Sequence, residues 1–566
     1  MLLEDHQLSS VEWTELVRGI RVGTGGGCRV RQISDDGDVQ RIRLTVRDGG
    51  QVILQAPLGD AAGYWFPAVG SERGLPADWL GGDTFSAIRS APVGVLYDAD
   101  GTSHLAFGVD WTTGEGELQF GVSEEDKNFV VRLPIDGRIA ARAEELDVVV
   151  ASRAGGYQEA LRAVADALYT SSPARPASSA AREPVYSTWY GYSQRISDEI
   201  VSRDLPVAAE LGFGSVFLDD GWQRFGDGRW YAGCGDWVPD EAKFPDLRDF
   251  VGRAQAQGLE AVLWLAPLLV GEQSEAFARL APFASRYSDG LRAWVLDPRH
   301  REVREFVVET CARLMRDYGL DGLKIDFLNN ASVYAGTPSS GDIDDVGFAM
   351  VELLRGVADA VDVARPGALI EFRQPYVSPT VAAFADVVRA DDCPADADRN
   401  RRSVVDLRLL AGAQVVHADP IMWAPEMGAD AVTRQLLAGF FGVPQVSMPL
   451  ADLTDEHRRT IAERLAQWRS LRELLLDGRI TAGVPHRGYP VVQSRRGDVL
   501  LVVDYESGLA ELDLTGVREV VVLNATHVPG VAYRVVSGGA AALGTAGLLD
   551  VPAWELVRIE LGGTAA

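Results

Sequence analysis

The sequence has little lysine, little cysteine and no long apolar run, and each shortage excludes something. Lysine stands only at positions 127, 243 and 324, so 51 of the 54 basic residues are arginine. Where arginine meets almost every need for a cation, a retained lysine marks a place that calls for a compact ammonium. The four cysteines, Cys28, Cys234, Cys311 and Cys393, are too scattered for a disulfide framework or a metal cluster. The seven histidines form neither an HxH nor an HExxH pattern, so no zinc site is expected, and chemistry performed by a carboxylate nucleophile and an acid/base needs neither a metal nor an organic cofactor. No stretch approaches the roughly 20 uninterrupted apolar residues that cross a bilayer. The opening MLLEDHQLSS carries acids where a secretory signal has basic residues, which predicts a cytoplasmic protein with no membrane partner. A net charge of −27 opposes binding to nucleic acid and leaves neutral or cationic small molecules as ligands. Nothing in the composition fixes the oligomeric state.

What is present suffices for several domains. The chain has 566 residues, 47% hydrophobic and 24% charged, which suits two to four globular units. Residues 1–170 read as an N-terminal β-sandwich. In RIRLTVR, Ile42, Leu44 and Val46 alternate with polar neighbours, and VGVLYD and HLAFGVD recur between turn residues. The helical pattern GYQEALRAVADALYT closes this region. Residues 171–184, SSPARPASSAAREP, have the composition of a linker.

From residue 185 to 478 short apolar strands alternate with amphipathic helices: VYSTWYGY, SVFLDDGW, EAVLWLAP, GLKIDFL, ALIEFRQP, DVVRADD, QVVHADP and QVSMPLADL. Between two of them, REVREFVVETCARLMRDYG places Val303, Phe306, Val307, Cys311, Leu314, Met315 and Tyr318 at helical spacing, with Gly319 as the C-cap. Such alternation predicts a (β/α)8 TIM barrel, and no glycine-rich first turn favours a dinucleotide fold. Residues 479–566, with DVLLVVDY, REVVVLN and WELVRIEL, predict a small C-terminal β-sandwich. The expected fold is thus multidomain, a central barrel between two sandwiches.

Polar residues concentrate at the C-terminal ends of the barrel strands, where barrels build their active sites. They are Trp189 and Tyr190, Asp219 and Asp220, Lys324 and Asp326, and Arg389, Asp391 and Asp392. Lys324 and Asp326 are two apart, so both point to one side, and the ammonium would keep the carboxylate ionised for nucleophilic attack. A structural ion pair explains the same spacing. In VVRADD, adjacent acids facing a third would raise one pKa and supply a general acid. An acidic surface loop is the plainer alternative, and Arg389 complicates the acid role unless it grips a sugar hydroxyl. Asp219 and Asp220 suit vicinal hydroxyls, and Trp189, Tyr190, Trp222 and Trp264 are candidate stacking platforms. A metal held by the Asp219–Asp220 pair lacks a further ligand at suitable spacing.

In this order the segments STWYGY, FLDDGW, GDWVPDEAKFPDLRDFV, VLWLAP, LKIDF and VVRADDCP resemble glycoside hydrolase family 36, the melibiase or α-galactosidase type. The resemblance implies a retaining, exo-acting α-galactosidase working on a small-molecule carbohydrate by double displacement. It makes Asp326 the nucleophile and Asp392 the acid/base, with Asp391 as the competing position because RADD is shorter than the family's spacing. It assigns Lys324, Asp219, Asp220 and Arg389 to sugar hydroxyls, Trp189, Tyr190 and Trp264 to the walls, and Trp65 in GYWFPAV to a loop from the N-terminal domain. The segment IEFRQP departs from the family, so Glu371 or Arg373 could change recognition at C2, or pair with each other in the wall. A related retaining glycosidase or transglycosylase, for an α-N-acetylgalactosaminide or a pentopyranoside, and a non-catalytic sugar-binding barrel are the alternatives.

Overall fold

The computed structural model describes residues 11–68, 70, 73–153, 155–169, 174–373, 376–538 and 543–561. The opening MLLEDHQLSS, the start of the linker segment and the last residues of the chain lie outside the described residues.

The N-terminal region is two six-stranded antiparallel sheets face to face. In the strand Val39–Thr45 the side chains of Ile42 and Leu44 are fully buried while Arg43 points to solvent, the alternation read from RIRLTVR. Burying one face of each sheet against the other gives this region its own core. Helix α1 (Tyr157–Tyr169) then packs on the second sheet.

Eight parallel strands form the centre: β1 (Val185–Ser187), β2 (Ser215–Leu218), β3 (Glu260–Leu265), β4 (Gly322–Ile325), β5 (Leu369–Arg373), β6 (Val387–Arg389), β7 (Val415–His417) and β8 (Gln445–Val446). Each lies in one of the eight apolar segments named above. β8 pairs with β1, and a parallel bridge from His417 to Val443 closes the ring. Helix α2 (Arg301–Tyr318) buries Val303, Val307, Cys311, Leu314 and Met315 and stops at Gly319, whose φ of 68° is the left-handed C-cap that glycine adopts without cost. Among the described residues no helix is long and apolar enough to cross a membrane.

The described part of the linker segment is not a loose tether. Arg175 hydrogen-bonds through its backbone to Ala382 and pairs with buried Asp386, and the Ala181 carbonyl meets His417 inside the barrel. After helix α4 (Asp455–Asp477), capped by the Thr454 side chain on the His457 N–H, a five-stranded and a three-stranded sheet make the C-terminal region. Two of its pairings, Val499–Asp504 with Glu519–Asn524 and Leu509–Asp513 with Val531–Ser537, are parallel, so the region is a mixed sandwich.

Candidate functional site

Register decides which side chains meet. Lys324 on β4 lies opposite Trp264 on β3 and Glu371 on β5, and Arg373 on β5 lies opposite Arg389 on β6, which lies opposite His417 on β7. Barrel layers are ordinarily filled by branched apolar residues. Here the upper layers are ionic, and the charges need partners from beyond the strand ends.

Asp326 follows β4 directly. Its Oδ2 accepts from Trp264 Nε1 at 3.1 Å, and its Oδ1 accepts from the Phe327 N–H at 2.7 Å. Phe327 reaches that position in the left-handed region, φ 56°, which a bulky residue rarely occupies. Such strain concentrates at functional sites, and here it turns the backbone N–H onto the preceding carboxylate. Lys324, expected to neighbour Asp326, instead donates to Asp219 Oδ2 at 2.6 Å, with both side chains almost wholly buried. The cation on Asp326 is Arg373, whose Nε lies 3.2 Å from Oδ1.

Asp219 and Asp220 end β2. The following Gly221 has φ 117°, and a Cβ there would stand 2.6 Å from the Gln194 backbone, so the turn that presents the acid pair requires glycine. Gln194 and Gln223 each donate to Asp220 at 2.7 Å. Burial pushes the Asp220 carboxyl up to about 7 despite those donors, with Asp219 and Asp326 adding like-charge repulsion. Burial also raises Asp219, against the pull of Lys324.

The β6 end differs from the expectation in two ways. Arg389 is fully buried, with Nη1 on Asp419 and the Ala390 carbonyl, Nη2 on Asp392 and Nε 3.7 Å from buried Glu371, so it orders the wall. Asp392 accepts from Arg389 Nη2 at 3.0 Å and from Arg373 Nη1 at 3.1 Å. Burial alone would raise this carboxyl, but Arg389, Arg373 and Lys324 hold it well below the usual carboxylate range. A resting acid must keep its proton near neutral pH. The expected Asp392 acid is thus charged, even though its side chain keeps 43% of its surface exposed to screening solvent. Asp391 makes longer ion pairs, 3.5 Å to Arg373 and 3.4 Å to Arg399.

Arg373 does not pair with Glu371. Glu371 is locked between His417 Nδ1 at 2.8 Å and Gln445 Nε2 at 2.9 Å, wholly buried, which removes it as a contact for C2 of a ligand. Arg373 touches Asp326, Asp391 and Asp392 together.

The aromatic expectations divide. Tyr190 Oη donates to Asp419 Oδ2 at 2.9 Å, and Trp189 and Tyr190, both half-buried, line a cavity of about 630 Å³ with Gln194, Arg229, Pro394 and Met422. Trp264 serves Asp326 as a donor. Trp222 is sealed in the core with its Nε1 on the Trp264 carbonyl, so it is no platform. Trp65 is also fully buried: its Nε1 donates at 2.7 Å to Asp406 of helix α3 (Ala397–Leu410), which Arg73 holds from the other side. Trp65 therefore joins two domains and does not face the site. Asp419, just beyond β7, and Gln194 escaped the sequence reading; the acid in HADP stands at a strand end like those already chosen, and that position was the available signal.

Comparison with known proteins agrees with this architecture. Residues 162–363 match the Melibiase family. The chain is 25% identical over 319 residues to the myogenesis-regulating glycosidase of Mus musculus, covering 50% of this chain and 42% of that protein. It is 29% identical over 161 residues to an α-galactosidase of Escherichia coli, covering 27% and 22%. The chain thus spans less than half the length of these curated relatives. Among solved structures, the GH36 α-galactosidase AgaA of Geobacillus stearothermophilus, crystallised with raffinose, superposes with TM-score 0.65 at 16% identity, covering 98% of this chain and 83% of that one. An α-galactosidase from Thermus thermophilus gives 0.58 at 19%, covering 86% and 98%.

Proposed function

Starting from a chain related to the family 36 α-galactosidases, we propose that it is a retaining, exo-acting α-galactosidase using Asp326 as nucleophile. One observation carries the reading: a single guanidinium, Arg373, touches both Asp326 and the Asp391–Asp392 pair, so the two carboxyl functions meet on one cation. Double displacement needs such a pair flanking one glycosidic bond.

Asp326 attacks the anomeric carbon. Trp264 Nε1 and the Phe327 N–H fix its carboxylate with neutral donors, which orient it without removing its charge. The acid/base is assigned to Asp391, because Asp392 is pinned as an anion by the buried Arg389. Asp391 protonates the departing oxygen and then takes a proton from the incoming water. Asp219, Asp220 and Lys324 form the floor that reads the sugar hydroxyls, and a carboxyl near 7 at Asp220 can accept or donate there. The cavity beside Trp189 and Tyr190 suits the leaving group, an aromatic rim offering its face to a second sugar ring.

A mechanism-based galactosyl inhibitor tests the reading. Label on the peptide holding Asp326 is expected, and label on any other carboxylate overturns the assignment. Comparing aryl α-galactoside with its 2-acetamido analogue separates this substrate from an α-N-acetylgalactosaminide, the first being the faster.

A further inference from the structure

We propose that Asp419 is a positioning residue: its buried carboxylate ties down both ends of the short arch that carries Asp391 and Asp392, and so sets where the acid stands against the leaving group. The inference rests on the glycosidase reading above and adds to it a residue buried behind the site.

Three elements meet on this one side chain. Asp419 stands just beyond β7 and is wholly buried. Its Oδ1 accepts from Arg389 Nη1, and its Oδ2 accepts from the Cys393 N–H at 2.8 Å and from Tyr190 Oη at 2.9 Å. Arg389 ends β6, and Cys393 directly follows Asp392. The chain from Arg389 to Cys393 is therefore an arch with both feet on one carboxylate. Arg389 also reaches Asp392 through Nη2 at 3.0 Å, so the same foot fixes a side chain of the acid pair. Tyr190 adds the wall of the leaving-group cavity to the tie. Asp419 is itself fixed by Asn400 of α3, which accepts from its N–H and donates to its carbonyl, both at 3.0 Å.

Charge balance alone does not account for the residue. Arg389 already has Asp392 at 3.0 Å and Glu371 at 3.7 Å. A further buried carboxylate is costly unless its lone pairs are used. Burial pushes the Asp419 carboxyl up to about 7, Asp392 adds repulsion, and the donors Arg389, Cys393 and Tyr190 pull the other way. What Asp419 contributes beyond a countercharge is its hold on Cys393 and Tyr190.

The chemistry of the tie makes it breakable by one substitution. Oδ1 and Oδ2 both accept, and every partner donates. An asparagine has one acceptor oxygen and one donor nitrogen. Asp419→Asn therefore turns an N–H either on Arg389 or on the Cys393 and Tyr190 donors, and one foot of the arch comes free. A catalytic group displaced by about 1 Å can cost about 10²-fold in rate. Asp326 lies on the other side of the site, held by Trp264 and its own turn, and keeps its aim.

Leaving-group dependence is the test. Dinitrophenol departs almost unaided, whereas phenol needs its oxygen protonated, so the two aryl α-galactosides separate the acid from the nucleophile. Asp419→Asn should lose on the order of 10² in kcat/KM on the phenyl substrate and less than about threefold on the dinitrophenyl one. An equal loss on both, or no loss on either, overturns the proposal. Asp419→Glu keeps two acceptors at a longer reach and serves if the asparagine variant does not fold. It should show the same selective loss at about tenfold, and an equal loss on both substrates overturns the proposal. If neither variant folds, Asp419 holds the barrel and not the arch, and the proposal falls. If the unaltered protein cleaves neither substrate, the glycosidase reading falls, and amide hydrogen exchange decides the arch. In Asp419→Asn the Cys393 amide should then exchange at least about tenfold faster while β4 and α2 keep their rates. Unchanged exchange at Cys393, or acceleration throughout the barrel, overturns the proposal.

Discussion

Asp326 and Asp392 sit at the ends of nearby strands, touch the same arginine, and are held in opposite ways. Asp326 is aimed by an indole N–H and by the backbone of a strained residue, both neutral and fixed. Asp392 is held by two guanidiniums and keeps 43% of its side chain open. Neutral donors set direction and leave charge to the carboxylate, whereas buried cations hold a carboxylate in its charged form. A nucleophile needs the first arrangement, and the second keeps Asp392 an anion beside Asp391.

The largest effect that would break this comparison is at Asp326. Asp326→Asn keeps the shape and removes the attacking anion, so kcat should fall on the order of 10⁴- to 10⁶-fold, as for other nucleophile deletions. Retained turnover would mean that the better-aimed carboxylate is not the reacting one.

The acid pair sharpens the comparison at the next level. Asp391→Asn should cost kcat roughly 10²- to 10⁴-fold, the range of general acid–base catalysis. On an aryl galactoside with a good leaving group, added azide should restore part of that rate. Asp392→Asn should lower activity less and gain nothing from azide, since its partner Arg389 remains anchored on Asp419. The reverse pattern in the two variants would return the acid role to Asp392.

How far the sequence carries this argument depends on the range of the interaction. The barrel is legible because each strand is a short apolar run ending in polar residues, and α2 because its stripe and Gly319 are local signals. The turn DDGW is legible for the same reason, since Gly221 is needed by its own backbone. Partner choice among charges is not local. Lys324 lies two residues from Asp326 and pairs with Asp219, 105 residues away, because register brings β2 and β4 to the same level of the barrel. Arg373 and Glu371 are likewise neighbours in sequence and take separate partners. A pattern of spacing shows which side of a strand a charge occupies, and only the closed ring shows what stands opposite.

Trp65 gives the smallest and cleanest contrast, since a resemblance alone placed it at the pocket. Its indole N–H ends on Asp406, where Arg73 and Tyr489 also converge, so one donor among three is lost in Trp65→Phe. Removing one hydrogen bond to a charged, part-buried acceptor should cost about 1.5 to 3 kcal/mol, toward the lower end because two donors remain. The melting temperature should therefore fall while KM for an aryl galactoside stays unchanged. A raised KM with an unchanged melting temperature would put the ring back at the pocket and make the buried pair with Asp406 a resting arrangement that opens to meet the sugar.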